Sequence, residues 1–211
     1  MNLRPALPAD AAAMVRIKDQ LPMQRTDGTT TRGGFLLGTD EAGYHRFIEH
    51  CHCLVSEDDE GNMKGFGILV PDAVLKASEL WQKRHAAQWL ADPVLYDDMP
   101  LAYFEQLAFL PGCRRSVVEL AFRLVLDAFR GGAEAIFAGT VREPIVNLAA
   151  VPFIQAAGGQ KLAEIDEQYP VVGHIRSDIW CMERRALYER LAGDPQRHPS
   201  LHALLRQLAA Q

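Results

Sequence analysis

The sequence predicts an α/β fold in which helices flank a mixed β-sheet. Three observations predict it. An early hairpin pattern, CLVS (53–56) and MKGFGILV (63–70), is joined by the acidic turn EDDEGN. Strand and helix patterns then alternate between 101 and 183. A length of 211 residues with 48% hydrophobic and 23% charged residues suits one decorated domain with one core.

Each element has a local cause. LRPA (3–6) reads as a short extended start, and Pro8-Ala9-Asp10 opens a helix with Asp10 as N-cap and Met14, Val15, Ile17 and Leu21 as its apolar positions. Pro22 stops it. Residues 22–38 carry Gly and Thr without a period, which predicts an exposed loop. Thr39 or Asp40 caps a second helix, with Tyr44, Phe47, Ile48 and Cys51 on one side. After the hairpin, Asp72 caps a long helix to about Ala91, with Val74, Trp81, His85 and Trp89 near one face; Pro93 ends it. Trp81 and Trp89 are expected to pack this helix onto the core or onto a partner chain.

LAYFEQLAF (101–109) is a strand that stops at Pro111, whose missing N–H cannot continue a central ladder. SVVELAFRLVLDAF (116–129) has helical spacing and closes at Gly131-Gly132. AEAIFAG (133–139) is a buried strand. Pro144 in a first-turn position starts a helix that ends at Gly158-Gly159. KLAEI (161–165) and DIWCME (178–183) are the last strands, and 184–211 form one or two terminal helices broken at GDPQRHP. The stripe Leu187, Leu191, Leu201, Leu204, Leu205 and Leu208 suggests packing and a homodimer contact.

Charge and composition exclude several functions. A net charge of −5 argues against a nucleic-acid or anionic-membrane binder, so an anionic ligand must be met locally. The apolar runs are far shorter than the roughly 20 residues that cross a bilayer, and the N-terminus has no apolar h-region. Four cysteines are too sparse for a disulfide scaffold and read as reduced thiols. A soluble, cytoplasmic protein is expected. No GxGxxG, GxxxxGK[ST] or GxSxG motif is present. HRFIEHCHC (45–53) concentrates possible metal ligands, but in a strand His50 and His52 would point opposite Cys51 and Cys53, so no metal is expected there.

YFEQLAFLPGCRRSVVELAF carries more chemistry. A strand ends at Pro111, a short loop bears Arg114 and Arg115, and a helix follows at once. Free N–H groups near Arg115 to Val118, at the positive helix end, would hold a phosphate together with either arginine. The alternative is an ordinary strand-to-helix turn with two solvated arginines.

Phe109, Pro111 and Arg114, followed downstream by Asn147, Ala150, Phe153 and Gly158, resemble the GCN5-related N-acetyltransferase (GNAT) superfamily in identity and spacing. The likeness covers about residues 1–183, with 72–91 an insertion and 184–211 a helical extension. It implies a mostly antiparallel mixed sheet, helices on both faces, and fourth and fifth strands (101–109 and 133–139) that splay apart. It implies acetyl-CoA as co-substrate, with the pantetheine arm bonded to the Leu107 and Phe109 backbone and touching Asn147. The pyrophosphate would then lie on Arg114, Arg115, Ser116, Val117, Val118 and Glu119. Two motif glycines are replaced by Val117 and Glu119, and the tyrosine that protonates the leaving thiolate in many members is Ile154. A glutamate at the helix start would repel a phosphate unless it swings out to solvent.

The implied activity is N-acyl transfer, most simply acetyl transfer to a primary amine of a small molecule or peptide. In family members the base often lies on the fourth strand, at positions matching Tyr103 and Glu105. Alternation puts Tyr103, Glu105, Leu107 and Phe109 on one face, and a carboxylate in an apolar central strand is costly unless paired or near water, which favours Glu105. Arg25 and Arg32, in the loop expected to cover the acceptor, could hold an acidic group. Two rivals remain open: a protein of this fold that has lost catalysis and binds or senses a coenzyme A ester, and a metal-binding protein using 45–53.

Overall fold

The computed structural model describes residues 2–23 and 28–193, with the backbone alone at Arg114 and at 191–193. The chain opens with β1 (Asn2–Pro5), α1 (Ala11–Asp19), β2 (Gly28–Thr30), α2 (Glu41–His50), β3 (His52–Glu57) and β4 (Met63–Pro71). Then come α3 (Asp72–Lys76), α4 (Glu79–Gln82), β5 (Gln88–Trp89), β6 (Leu101–Phe109) and α5 (Arg114–Arg130). It finishes with β7 (Ala135–Glu143), β8 (Ile145–Asn147), α6 (Val151–Ala156), β9 (Gln160–Tyr169), β10 (Gly173–Glu183) and α7 (Arg184–Gly193).

Eight strands form one sheet in the order β1-β3-β4-β6-β7-β10-β9-β5. Every neighbouring pair is antiparallel except β6 and β7. The sequence run GFGILV of β4 is buried throughout because helices cover both faces. Its glycines set the helix distance: a Cβ at Gly67 would lie 2.5 Å from Leu120 Cδ2 and 2.7 Å from Leu124 Cδ1, so only hydrogen lets α5 lie this close. On the α5 face, Leu69, Leu120, Leu124, Ile136, Ile154 and Leu187 form one cluster. Opposite it, Met14, Ile17, Tyr44, Phe66 and Ile68 pack α1 and α2. That second layer continues through Phe47 and Cys51 into Leu75, Trp81, Tyr96, Leu101 and Phe137, beneath residues 72–99.

Several expectations need correction. The long helix over 72–91 is broken. Ser78 Oγ donates to the Leu75 carbonyl (2.6 Å) and accepts from the Trp81 amide (3.3 Å), ending one helical turn and capping the next. Trp89 then joins strand β5 and pairs with Ala163. The stretch 22–38 is not wholly loop, since β2 pairs in parallel with β8. No helix starts at Pro144. Residues 145–147 are extended, and Pro152 takes the first-turn position of a shorter helix, α6. Asp10 precedes α1 without capping it; its carboxylate accepts from Arg4 (2.7 Å) and from the Leu7 amide (2.7 Å). The two last strands are longer than the apolar pattern marks, and cross-strand pairs such as Arg176 with Asp166 (3.0 Å) extend them. Leu187 is buried in α7, whereas Leu201, Leu204, Leu205 and Leu208 lie outside the described residues.

Leu124 is 1% exposed and sits where α5 meets Gly67. Leu124→Ala is expected to lower the unfolding free energy by about 2–5 kcal/mol, read from urea melts at unchanged m-value.

Candidate functional site

The parallel ladder between β6 and β7 runs from Leu101↔Ala135 to Phe104↔Ala138 and stops, although both strands continue. Each then follows its outer partner. β6 stays on β4 as far as Gly65↔Phe109, and β7 stays on β10 as far as Glu143↔Arg176. A wedge opens between them with its vertex at Phe104 and Ala138. On the outer side the Leu110 amide donates to the Lys64 carbonyl (2.8 Å). Antiparallel alternation therefore turns the amides of Phe109 and Leu107 the other way, into the wedge. Their side chains pack towards α5.

The register of β4 with β6 steps from Ile68↔Gln106 to Leu69↔Phe104, leaving Glu105 as an extra residue. This β-bulge resets the alternation. Ala102, Phe104, Leu107 and Phe109 belong to the α5 cluster, whereas Tyr103 packs in the layer opposite and Gln106 accepts there from the Tyr44 hydroxyl (3.0 Å). The expectation that Tyr103, Glu105, Leu107 and Phe109 share one face is thus wrong, because strict alternation does not survive an inserted residue. The negative charge of Glu105 acts on Tyr103, Tyr44 and Cys51, which puts it on the α2 side of the vertex.

Burial pushes the Glu105 carboxyl above the usual carboxylate range, opposed by a hydrogen bond from Gln106. Burial likewise raises the Tyr103 phenol, helped by the Glu105 charge and opposed by a hydrogen bond from the Gly139 amide. Tyr103 is neutral at physiological pH and cannot serve as a base there.

Beyond β6, Gly112 takes φ 92°, a left-handed conformation that a side chain would strain, and turns the chain into α5. The helix begins at Arg114, two residues before the predicted start. The Val117 amide already bonds the Cys113 carbonyl (3.0 Å), so the amides without an intrahelical acceptor lie in the first turn, at Arg114 and Arg115, and do not extend to Val118. Arg115 is exposed and Ser116 buried. Glu119 is the sixth residue of α5, roughly 7–8 Å along the axis from the first. The predicted repulsion at the helix start is reduced by that distance.

Asn147 ends β8, and its Oδ1 accepts from the Ala149 amide (3.0 Å), which orients the side chain beside the start of α6. Arg32 is exposed just after β2, whose partner strand β8 carries Asn147. Arg25 lies outside the described residues. Ile154, where the resemblance implies a tyrosine in many members, is 2% exposed and packed in the core. His45 and His50 are exposed on α2, while Cys53 is buried in β3. Burial pushes the Cys51 and Cys53 thiols up to about 11 and about 12, away from the thiolate form that metals bind. Among the described residues no three His, Cys, Asp or Glu side chains are grouped to hold a metal ion.

A cavity missed by the sequence reading borders the vertex on the Tyr103 side, with a volume of about 90 Å³. Its lining includes Trp81 and Trp89, both expected only to pack.

The raised Glu105 pKa has a consequence for stability. A carboxyl whose pKa is higher in the folded state binds its proton more tightly there, so its contribution is greatest below the unfolded value of about 4.3 and is lost as pH rises through the folded value. Glu105→Gln is therefore expected to be more stable than the parent at pH 8 and to gain less, or nothing, at pH 4, measured by urea melts. An equal change at both pH values contradicts the buried-carboxylate assignment.

No protein-family model and no curated protein matches the sequence. Solved structures do match. The ribosomal-protein-alanine N-acetyltransferase of Brucella melitensis aligns over 87% of this chain and 99% of its own, with a TM-score of 0.58 and 13% identity. Naa20 of Chaetomium thermophilum, solved with a bisubstrate analogue, covers 90% of each chain at TM-score 0.58 and 12% identity. The putative acetyltransferase yncA of Salmonella typhimurium, solved with its cofactor acetyl-CoA, covers 87% of this chain and 93% of its own at TM-score 0.56 and 16% identity. The layered α/β sheet expected from the sequence is the one these enzymes share, and the chain has the fold of the GNAT superfamily.

Proposed function

We propose that this protein is an acyl-CoA-dependent N-acyltransferase that moves acetyl from acetyl-CoA to a primary amine of a small molecule or peptide. The observation that carries the reading is the wedge beyond Phe104 and Ala138, with the Leu107 and Phe109 amides turned into it. Such an edge suits an extended, amide-containing arm that bonds like an added strand. The far end of β6 suits phosphates: the turn at Gly112, the first amides of α5 and the exposed Arg115 lie together there. Asn147 offers a polar contact beside the opposite strand.

The bound co-substrate supplies an activated acyl group and a thiolate leaving group. This chain supplies positioning and one proton acceptor. Glu105, a carboxyl raised by burial on the α2 side of the vertex, takes the proton of the attacking amine directly or through water. The backbone amides of β6 polarise the carbonyl, and orientation of the two reactants carries much of the rate. A thiolate of ordinary pKa, about 8.5, leaves without a fixed acid at 154.

The burial of Ile154 where many relatives hold an acid favours a second reading, a coenzyme A ester-binding module without catalysis. Titration calorimetry followed by thiol release over a panel of amines separates the two. Acetyl-CoA is expected to bind, and Arg115→Glu to weaken binding by about tenfold or more through loss of a charge-assisted bond. Glu105→Gln is expected to keep the Kd within about twofold and to lower kcat by about 10²–10⁴. No binding at millimolar acetyl-CoA contradicts both readings. Binding without thiol release for any amine leaves only the second.

A further inference from the structure

Given acyl transfer to an amine, we infer that the cavity beneath residues 72–99 receives an apolar side group of that amine, which makes the preferred acceptor a hydrophobic primary monoamine. The lining is mainly carbon: Leu75, Trp81, Trp89, Phe137 and Ile165 surround it. Its charged lining residues are already matched. Glu167 accepts from Lys83 Nζ (2.8 Å) and from the Tyr169 hydroxyl (2.8 Å). Arg84 stacks on Trp81 at 4.4 Å and pairs with Asp97 (3.1 Å). Both charges are thus neutralised by partners of opposite sign, so a second ammonium or a carboxylate on the ligand would leave water for a carbon-rich lining with little net charge to attract it.

Size narrows the ligand further. About 90 Å³ is less than the roughly 150 Å³ of a cavity that holds benzene, and far less than the roughly 300–1,000 Å³ of sites for whole drug-sized ligands. The space takes a branched chain of a few carbons or the edge of one ring, not a complete substrate. The rest of the acceptor must therefore lie outside it.

Position ties the cavity to the reacting centre. Tyr103 and Gly139 both line it, and Gly139 directly follows Ala138, the last β7 residue paired with β6. A Cβ at Gly139 would stand 2.9 Å from the Tyr103 hydroxyl, so the missing side chain keeps the backbone bare at the vertex. Glu105 is two residues along β6 from Tyr103, and its charge acts on that phenol. An amine tethered by one or two carbons to a group in the cavity has its nitrogen on the same side of the vertex as the proposed base.

Two of the three tryptophans, Trp81 and Trp89, line the cavity. Trp180 lies on the other face, where its Nε1 donates to Thr140 (2.8 Å). Tryptophan emission therefore reports filling without any turnover. The full chain would be titrated with isoamylamine and phenethylamine, and with ethanolamine and putrescine as polar controls. Saturable binding of the apolar pair alone is expected. Ala87→Phe and, from the opposite wall, Ser177→Leu both fill the cavity and should raise the Kd of the apolar amines at least tenfold while that for acetyl-CoA stays within twofold. Equal responses to all four amines, no saturable response, or unchanged affinity in both folded variants overturns the inference. Apolar amines that bind and are excluded by both variants, in a protein that fails to bind acetyl-CoA, uphold the cavity as an apolar amine site and contradict acyl transfer.

Discussion

Backbone hydrogen bonds must be made in pairs, and between β6 and β7 they stop being made after Phe104↔Ala138. The rest of the architecture follows from how that interruption is sustained. Both strands keep an outer partner beyond the vertex, so neither frays, and each keeps its inner edge open. The residue directly after the last pair on β6 is Glu105, the extra residue of the bulge against β4. A bulge bends its strand and increases the local twist. One inserted residue thereby coincides with the end of the ladder, the turning of the Leu107 and Phe109 amides into the wedge, and the reversal of side-chain alternation. An open inner edge left dry would be costly, so the wedge is built for water or for a ligand with amide-like groups.

Electrostatics divide along the same line. On the β6–α5 side the positive features lie together: the helix end and Arg115. On the α2 side of the vertex stands Glu105, raised by burial, in a layer otherwise supplied by Tyr44, Cys51 and Tyr103. In an acidic chain of net charge −5 the proposed function thus has an anion end and an amine end that are separated along the gap. Glu119, which looks adverse in the sequence, is displaced along the helix from the anion end.

What was legible in the sequence was local. The hairpin 53–70, the helical spacing of 116–129 and the stop of the strand at Pro111 have short-range causes, and the hairpin, α5 and the end of β6 reflect them. Of Thr39 and Asp40, both readable as the cap of α2, Asp40 takes the role, its side chain accepting from the Gly43 amide (2.7 Å). The break at Ser78 had a visible signal, a capping residue inside a stretch read as one helix. The bulge had none: YFEQLAF reads as an uninterrupted strand, and only the register with β4 singles out Glu105. Pairing of β2 with β8 joins segments more than 100 residues apart, and no periodicity encodes it. The cavity is likewise a property of packing, because Trp81, Trp89, Phe137 and Glu167 meet only once β9 and β10 are in place.

The central claim is that the inner edge of β6 is open and is where the arm of acetyl-CoA bonds. Residue-level amide hydrogen exchange, with and without acetyl-CoA, tests it most directly. In the free protein the amides of Leu107 and Phe109 should exchange much faster than those of Ala108 and Leu110, which face β4, and acetyl-CoA should slow the first pair selectively. Equal protection of all four amides before ligand is added, or binding that leaves Leu107 and Phe109 unprotected, would contradict it.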